Sequence, residues 1–146
     1  MSHQNAVDAL NDLLAAEYES LIPRLAQADP YVSWPAADDR ALIEQMLADV
    51  EAHKRDLTQL ILKLRGSPVP PRYSTETGGL HYVQLSYLMP AVIQSVREMI
   101  AAYESAGPTG SAEADALNAR HLADYRRYLT HLEKLHGGTE MVTSRG

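Results

Sequence analysis

The chain has 146 residues and a mass of 16.1 kDa, a size at which one hydrophobic core, and so one domain over residues 1–146, is the expected organisation. It contains no cysteine, which excludes disulfides, thiolate metal sites and cysteine nucleophiles. Nineteen acidic and thirteen basic residues give a net charge of -6, the wrong sign for binding nucleic acid or an anionic membrane.

The sequence also carries no sign of a membrane or export segment. No stretch approaches the roughly 18 consecutive apolar residues of a membrane-spanning helix. Residues 1–5 lack the basic start and apolar continuation of a secretory signal. We therefore predict a cytoplasmic protein with no membrane partner.

Four helical segments follow one another along the chain. Clusters of Pro and Gly at residues 29–37, 66–80 and 107–111 separate them. Within each segment apolar side chains recur at steps of three and four, which predicts amphipathic helices and no strands. The predicted helices cover about residues 2–27, 37–65, 80–106 and 111–136.

The helix ends and bends are predicted from single residues. Pro23 should bend the last turn of the first helix, and Pro90 should kink the third. Gly66 is expected to end the second helix. Ser111 is a typical N-cap for the fourth, and Gly137 a typical residue just beyond its end.

The connections between the helices differ in length, and this predicts the topology. Short loops join the first helix to the second and the third to the fourth, so each pair should form an antiparallel hairpin. The proline-rich stretch 66–79 is too long for a tight turn and should cross over between the hairpins. The expected fold class is an all-α four-helix bundle made of two hairpins and one long crossover.

Loop positions indicate which residues lie level inside such a bundle, because antiparallel neighbours keep a constant register. Combining register with the apolar faces brings six residues near one interior point. They are Glu17, Val50, His53, Val96, Tyr125 and Tyr128.

Motifs in all four segments resemble those of bacterioferritin and rubrerythrin relatives, members of the ferritin-like superfamily. Residues 10–17, read LNDLLAAE, resemble the first helix of that family, whose glutamate is an iron ligand. His53 and residues 60–68 resemble its second helix, which carries a Glu-x-x-His motif and a terminal Leu-x-Gly-x-Pro. Residues 96–103 resemble its third helix, where a ligand glutamate stands seven before a tyrosine, and residues 123–135 its Glu-x-x-His fourth.

The resemblance implies a ferritin-like bundle with a degenerate di-iron site. Of the six ligand positions it identifies, Glu17 and His53 keep a ligand, whereas the others hold Val50, Val96, Tyr125 and Tyr128. Two iron ions bring about four to six positive charges, which one carboxylate cannot neutralise in a dry core. We therefore expect no cofactor and a non-catalytic binding or assembly role, with a homo-oligomer, a dimer or larger, as the family implies.

Glu17 and His53 differ in level by about one helical turn, so they could form a hydrogen-bonded pair. Tyr125 or Tyr128 would then donate to the Glu17 carboxylate. In this interpretation the polar groups satisfy one another and the core needs no metal.

Two alternatives remain open at this point. In the first, the protein stores or oxidises iron, or binds another divalent metal, through Glu17, His53 and either Glu98 or His121. In the second, Glu17 and His53 act as acid and base on a small ligand inside the bundle. Haem is not expected, because Glu51 stands beside Val50 where bacterioferritins carry their haem methionine.

Overall fold

A computed structural model describes residues 4–21, 37–71 and 85–137 of the chain. Four α-helices make up most of these residues: α1 (Gln4–Glu19), α2 (Ala37–Lys63), α3 (Leu85–Ala106) and α4 (Ala112–Leu132). A π-helical turn, Glu133–Gly137, extends α4. The described residues contain no strand, which confirms the all-α prediction. None of the described helices is long and apolar enough to cross a membrane.

The end of α2 differs from the prediction that Gly66 would end it. Arg65 takes the left-handed conformation, with φ of 65°, and the N–H of Gly66 donates to the carbonyl of Ile61 at 2.9 Å. A Cβ at Gly66 would lie only 2.5 Å from Cγ1 of Val7 on α1. The glycine is therefore needed for close helix packing, and Arg65 makes the turn.

Of the other predicted helix signals, one is confirmed, one is wrong and two are not tested. The Ser111 side chain accepts from the N–H of Ala114 at 3.2 Å, which confirms the predicted N-cap of α4. The expectation that the helix stops before Gly137 is wrong, because the π-helical turn continues to that residue. Pro90 lies inside α3, where its kink stays a prediction, and Pro23 lies outside the described residues.

Each helix packs against two neighbours. The closely packed pairs are α1 with α2, α3 with α4, α1 with α3, and α2 with α4. Val7 near the start of α1 meets Gly66 just after α2, and the N–H of Leu21 beyond the end of α1 donates to Oγ of Ser95 near the middle of α3. With Glu17 near Tyr103, these contacts make α1 antiparallel to both α2 and α3.

The helix directions explain the long connection. Because α2 and α3 are both antiparallel to α1, they run in the same direction. The end of α2 and the start of α3 therefore lie at opposite ends of the bundle, as a lengthwise crossover requires. Residues 72–84, within that connection, lie outside the described residues.

The core is apolar along most of its length. Burial of side chains of this size stabilises the fold by roughly 1.5–3 kcal/mol each. The largest apolar side chains that are almost completely buried come from all four helices: Leu10, Leu14, Met46, Val50, Leu57, Ile61, Val92, Ile93 and Leu132. Buried ionisable side chains interrupt this apolar core at one level, near the end of α1.

Candidate functional site

Glu17 is the central residue of this polar level. Its side chain, on α1, has no exposed surface. The hydroxyl of Tyr125 donates to Oε1 in a close contact, and the hydroxyl of Tyr103 lies 2.7 Å from Oε2. Nδ1 of His53 also lies 3.1 Å from Oε2. Three side chains from three other helices therefore surround one carboxylate and can compensate its desolvation.

His53 links Glu17 to the surface of the bundle. Its Nε2 atom lies 2.8 Å from Oδ2 of Asp124 on α4. Burial lowers the pKa of His53, but hydrogen bonds and charge attraction from Glu17 and Asp124 outweigh burial and raise the pKa above its ordinary value of 6.5. The imidazolium form is thus favoured between these two carboxylates.

His121 lies directly against His53. The ring centroids are 4.0 Å apart and the planes differ by 28°. Nδ1 of His121 lies 2.9 Å from the hydroxyl of Tyr103, and Nε2 lies 3.3 Å from Oδ2 of Asp56. Burial and the nearby charge of His53 lower the pKa of His121 to about 4, so its ring is neutral at neutral pH.

The two tyrosines stay protonated. Burial, followed by the negative charge of Glu17, raises the pKa of both Tyr103 and Tyr125 well above 10. Their hydroxyls can therefore donate to the carboxylate. Neither is suited to act as a tyrosinate ligand at neutral pH.

We call Glu17, His53, Tyr103, His121 and Tyr125 the Glu17 cluster, and Asp56 and Asp124 the outer aspartates. Six hydrogen-bond distances connect these groups. Three of these distances meet at the Glu17 carboxylate and two at the Tyr103 hydroxyl, so the groups form one continuous hydrogen-bonded network.

A groove between α2 and α4 leads to the outer aspartates. Its volume is about 390 Å³, and its lining includes both histidines, Asp49 and Arg120. The side chains of Asp124 and Asp56 are 29% and 42% exposed, whereas both histidine side chains are 3% exposed. The Nε2 sides of the histidines thus face partly solvated carboxylates, and their Nδ1 sides face the interior.

The other positions that the resemblance assigned to ligands offer little to a metal. Val50 and Val96 are buried and have no donor atom. The hydroxyl of Tyr128 is buried and has no hydrogen-bond partner among the described residues. In the described part of the chain, Glu17 is the one fully buried carboxylate. A di-iron centre needs about four carboxylates, so the residues at the bundle centre do not fit one.

The structure brings together most of the residues that the sequence indicated. Glu17 contacts His53, and Tyr125 donates to Glu17, as expected. Tyr128 does not donate to Glu17. The role of Glu17 and His53 as metal ligands stays a prediction. His121 joins the cluster.

The alternative through Glu98 does not fit. Its side chain is exposed and lies 3.4 Å from the amide of Gln94 on the same face of α3. The reason is its position on the helix, because it lies about 200° round the helix from buried Val96 and so on nearly the opposite side.

Three residues of the network were not identified from the sequence: Tyr103 and the two outer aspartates. One signal was available for the aspartates. The pattern His-x-x-Asp occurs twice, at residues 53–56 on α2 and at residues 121–124 on α4. Tyr103 was noted only as part of the third-helix motif.

Comparisons with known proteins give one structural likeness to report. No protein-family model matches the chain, and no curated protein matches its sequence significantly. A crystal structure of a "ferritin like, diiron-carboxylate" protein from Bacillus anthracis str. Ames matches with a TM-score of 0.65 and 20% sequence identity. The match covers 92% of this chain and 99% of the Bacillus chain. This chain therefore has the ferritin-like four-helix fold that its sequence predicted.

Proposed function

We propose that this is a ferritin-like protein whose di-iron centre is largely lost, and that it acts by binding or assembly rather than by di-iron oxidation. The observation that carries the proposal is the environment of Glu17. Three side chains of the same core surround its carboxylate. In a di-iron protein the equivalent glutamate would face metal.

The charge available at the bundle centre supports this. A di-iron centre uses a glutamate from each of two helices and a Glu-x-x-His motif from each of the others. Here valines occupy two of the carboxylate positions, and both are buried against neighbouring apolar side chains. The remaining carboxylate can offset only a small part of the charge of two ions.

Iron content tests the proposal directly. The protein is purified from iron-supplemented cells and analysed for iron per chain, and ferrous oxidation is followed by absorbance. We expect fewer than two iron ions per chain and no catalytic ferrous oxidation. Two iron ions per chain would contradict the proposal.

A second candidate function is binding of a single divalent metal, and a specific distance favours it. One ligand atom from each of Glu17, His53 and His121 lies within 4.8 Å of the others. Two imidazoles and one carboxylate form a known ligand set for zinc and for ferrous iron. Calorimetric titration of metal-free protein with Zn²⁺ should give one ion per chain, whereas His121→Gln should abolish binding.

We also propose that the protein forms a homo-oligomer. Of the large hydrophobic side chains that the structure describes, Leu62 on α2 is the most exposed, at 58%. Light scattering should give a mass above 16.1 kDa, and Leu62→Lys should lower it if this face is part of the contact. A monomer at all concentrations would contradict the assembly role.

A further inference from the structure

The outer face of α2 carries one apolar side chain among basic ones. Leu62 is 58% exposed on this face. Arg55 lies about two turns before it on the same exposed stripe, and Arg65 follows just after the helix. The positions between them on the stripe are Thr58 and Gln59, so no acidic side chain lies there. We call Arg55, Leu62 and Arg65 the Leu62 patch.

The two arginines of this patch are not neutralised by the part of the chain that the structure describes. The neighbouring cation Lys63 has a partner, because its Nζ atom lies 2.8 Å from Oε2 of Glu113 on α4. Arg55 and Arg65 have no carboxylate partner of this kind among the described residues. The patch therefore presents an apolar side chain together with two positive charges that a partner could pair.

A groove between α1 and α3 has the complementary character. Its volume is about 450 Å³, which is ample for a leucine side chain. Its lining includes Leu13, Ala102 and Ala106, which are buried or half-buried and provide apolar surface. Asp8 and Asp12, four residues apart on the exposed side of α1, line it as well. The α1–α3 groove thus combines an apolar floor with an acidic rim.

The rim of the groove keeps its negative charge. No Lys or Arg occurs in α1, so its own helix supplies no cation to the two aspartates. Asp8 accepts a hydrogen bond from the neutral amide of Gln4 at 2.6 Å, which leaves its charge in place. The patch and the groove therefore have opposite charges around apolar surface, which is the pattern expected of two surfaces that bind each other.

Contact between two Leu62 patches is disfavoured by the same charges. A two-fold axis through Leu62 would place the arginines of one copy beside those of the other. Like charges brought together at an interface oppose association. The exposed leucine is therefore better buried against a different surface of the second copy, one that is acidic.

Resting on the proposed homo-oligomer, we propose that the Leu62 patch of one copy docks in the α1–α3 groove of a second copy. Leu62 fills the apolar part of the groove, and the two arginines pair with the aspartates of its rim. Burial of the leucine supplies binding free energy, because it removes apolar surface from water. The charge pairs orient the two copies and make the contact weaker at high salt.

The two surfaces are separate, so each can be removed without the other. The Leu62 patch lies on the outer face of α2, whereas the groove lies between α1 and α3, and α2 is not among the close neighbours of α3. Every copy offers both a patch and a groove. A variant that lacks one of them still presents the other to a suitable partner.

Variants that each lack one surface test the inference. Leu62→Lys removes the apolar side chain of the patch, and Asp8→Lys combined with Asp12→Lys reverses the charge of the rim. Sedimentation measures their masses at concentrations where wild type associates. Each variant alone should be mainly monomeric, with the Kd for self-association raised at least about 10-fold. An equimolar mixture should form a two-chain complex, because the patch of the rim variant fits the groove of the Leu62→Lys variant.

Two further proteins serve as controls. Leu135→Lys changes the other exposed large hydrophobic side chain of the described residues, at 38% exposure, and should keep the wild-type mass. Adding Arg55→Glu and Arg65→Glu to the rim variant exchanges the charges of the two surfaces. This exchanged protein should associate with itself again, since the ion pairs form with reversed signs. Circular dichroism checks that every variant is folded.

The outcomes separate the inference from the proposal on which it rests. If wild type associates but the rim variant keeps the wild-type mass, docking in the groove is overturned and the homo-oligomer stands. Two monomeric variants that stay monomeric when mixed would also overturn the docking, since each still supplies one of the two surfaces. A wild type that is monomeric at all concentrations would overturn both, and would leave a different protein as the occupant of the groove.

Discussion

Two neighbouring levels of the bundle centre differ sharply in polarity. One is the Glu17 cluster, in which buried polar groups contact one another. The other, which we call the valine level, contains Val50, Val96 and Tyr128, each at most 2% exposed. The antiparallel packing places the valine level nearer the end of α1. Among the described residues the one fully buried carboxylate belongs to the Glu17 cluster, so the valine level offers no charged ligand to a metal.

The largest expected change comes from introducing metal ligands at the valine level and at Tyr125 of the Glu17 cluster. The variant with Val50→Glu, Val96→Glu, Tyr125→Glu and Tyr128→His would carry the six side chains of a di-iron site. We expect it to gain two iron ions per chain and ferrous oxidation, because four carboxylates can then neutralise the metal charge. Elemental analysis measures the iron bound per chain, and circular dichroism checks that the variant is still folded.

A matched quadruple variant provides its control. Glutamine replaces glutamate at the first three positions, and Tyr128→His is kept, so shape is preserved without charge. This control should bind no iron pair. A folded glutamate variant that also binds none would show that the register between the helices and the family motifs is wrong.

Glu17→Ala should produce the largest loss of stability. It leaves His53 buried without its interior partner, and breaking a buried charge pair in this way costs about 3–5 kcal/mol. Glu17→Gln keeps the volume and part of the hydrogen bonding, so it should cost less. Urea unfolding measures the loss of unfolding free energy in both variants.

Glu98→Ala is the comparison for Glu17, since it removes an exposed carboxylate of the same length. Its effect should stay within about 0.5 kcal/mol. Equal losses for Glu17→Ala and Glu98→Ala would mean that the cluster does not stabilise the fold.

The two histidines should give opposite pH dependences of stability in the metal-free protein. His121 has a folded pKa of about 4, below its ordinary 6.5, so the unfolded chain binds its proton more readily. The contribution of neutral His121 to the free energy of unfolding is therefore lost as pH falls from 6.5 towards 4, by up to about 3 kcal/mol. His53 has a raised pKa, so its contribution is present below pH 6.5 and is lost as pH rises through the folded value.

Urea unfolding at a series of pH values measures these contributions when the wild type is compared with His121→Gln and His53→Gln. The first variant should lose stability less steeply on acidification, and the second should show a smaller loss on the alkaline side. Parallel pH curves for all three proteins would contradict both assignments.

The fold could be predicted from the sequence because its signals are local. Helical spacing, proline clusters and the Ser111 cap each act within a few residues. Glu17 and His53 were found because register and family resemblance agreed. Asp56 and Asp124 were missed because their partners are on another helix. Helical spacing along one segment does not determine how two helices are rotated about their axes. Gly66 was misread for the same reason, since its role depends on Val7.

Smaller effects than that of Glu17→Ala come from removing one oxygen on each level. Tyr125→Phe deletes a hydroxyl that donates to Glu17 and leaves a buried carboxylate oxygen short of a donor, at a cost of about 1–3 kcal/mol. Tyr128→Phe deletes a buried hydroxyl with no partner among the described residues, so it should be neutral or slightly stabilising. Both substitutions remove the same atom from the same kind of buried ring, so their difference in unfolding free energy isolates the contact with Glu17. A loss at Tyr128 as large as that at Tyr125 would mean that its hydroxyl also has a partner, and the contrast between the two levels would then disappear.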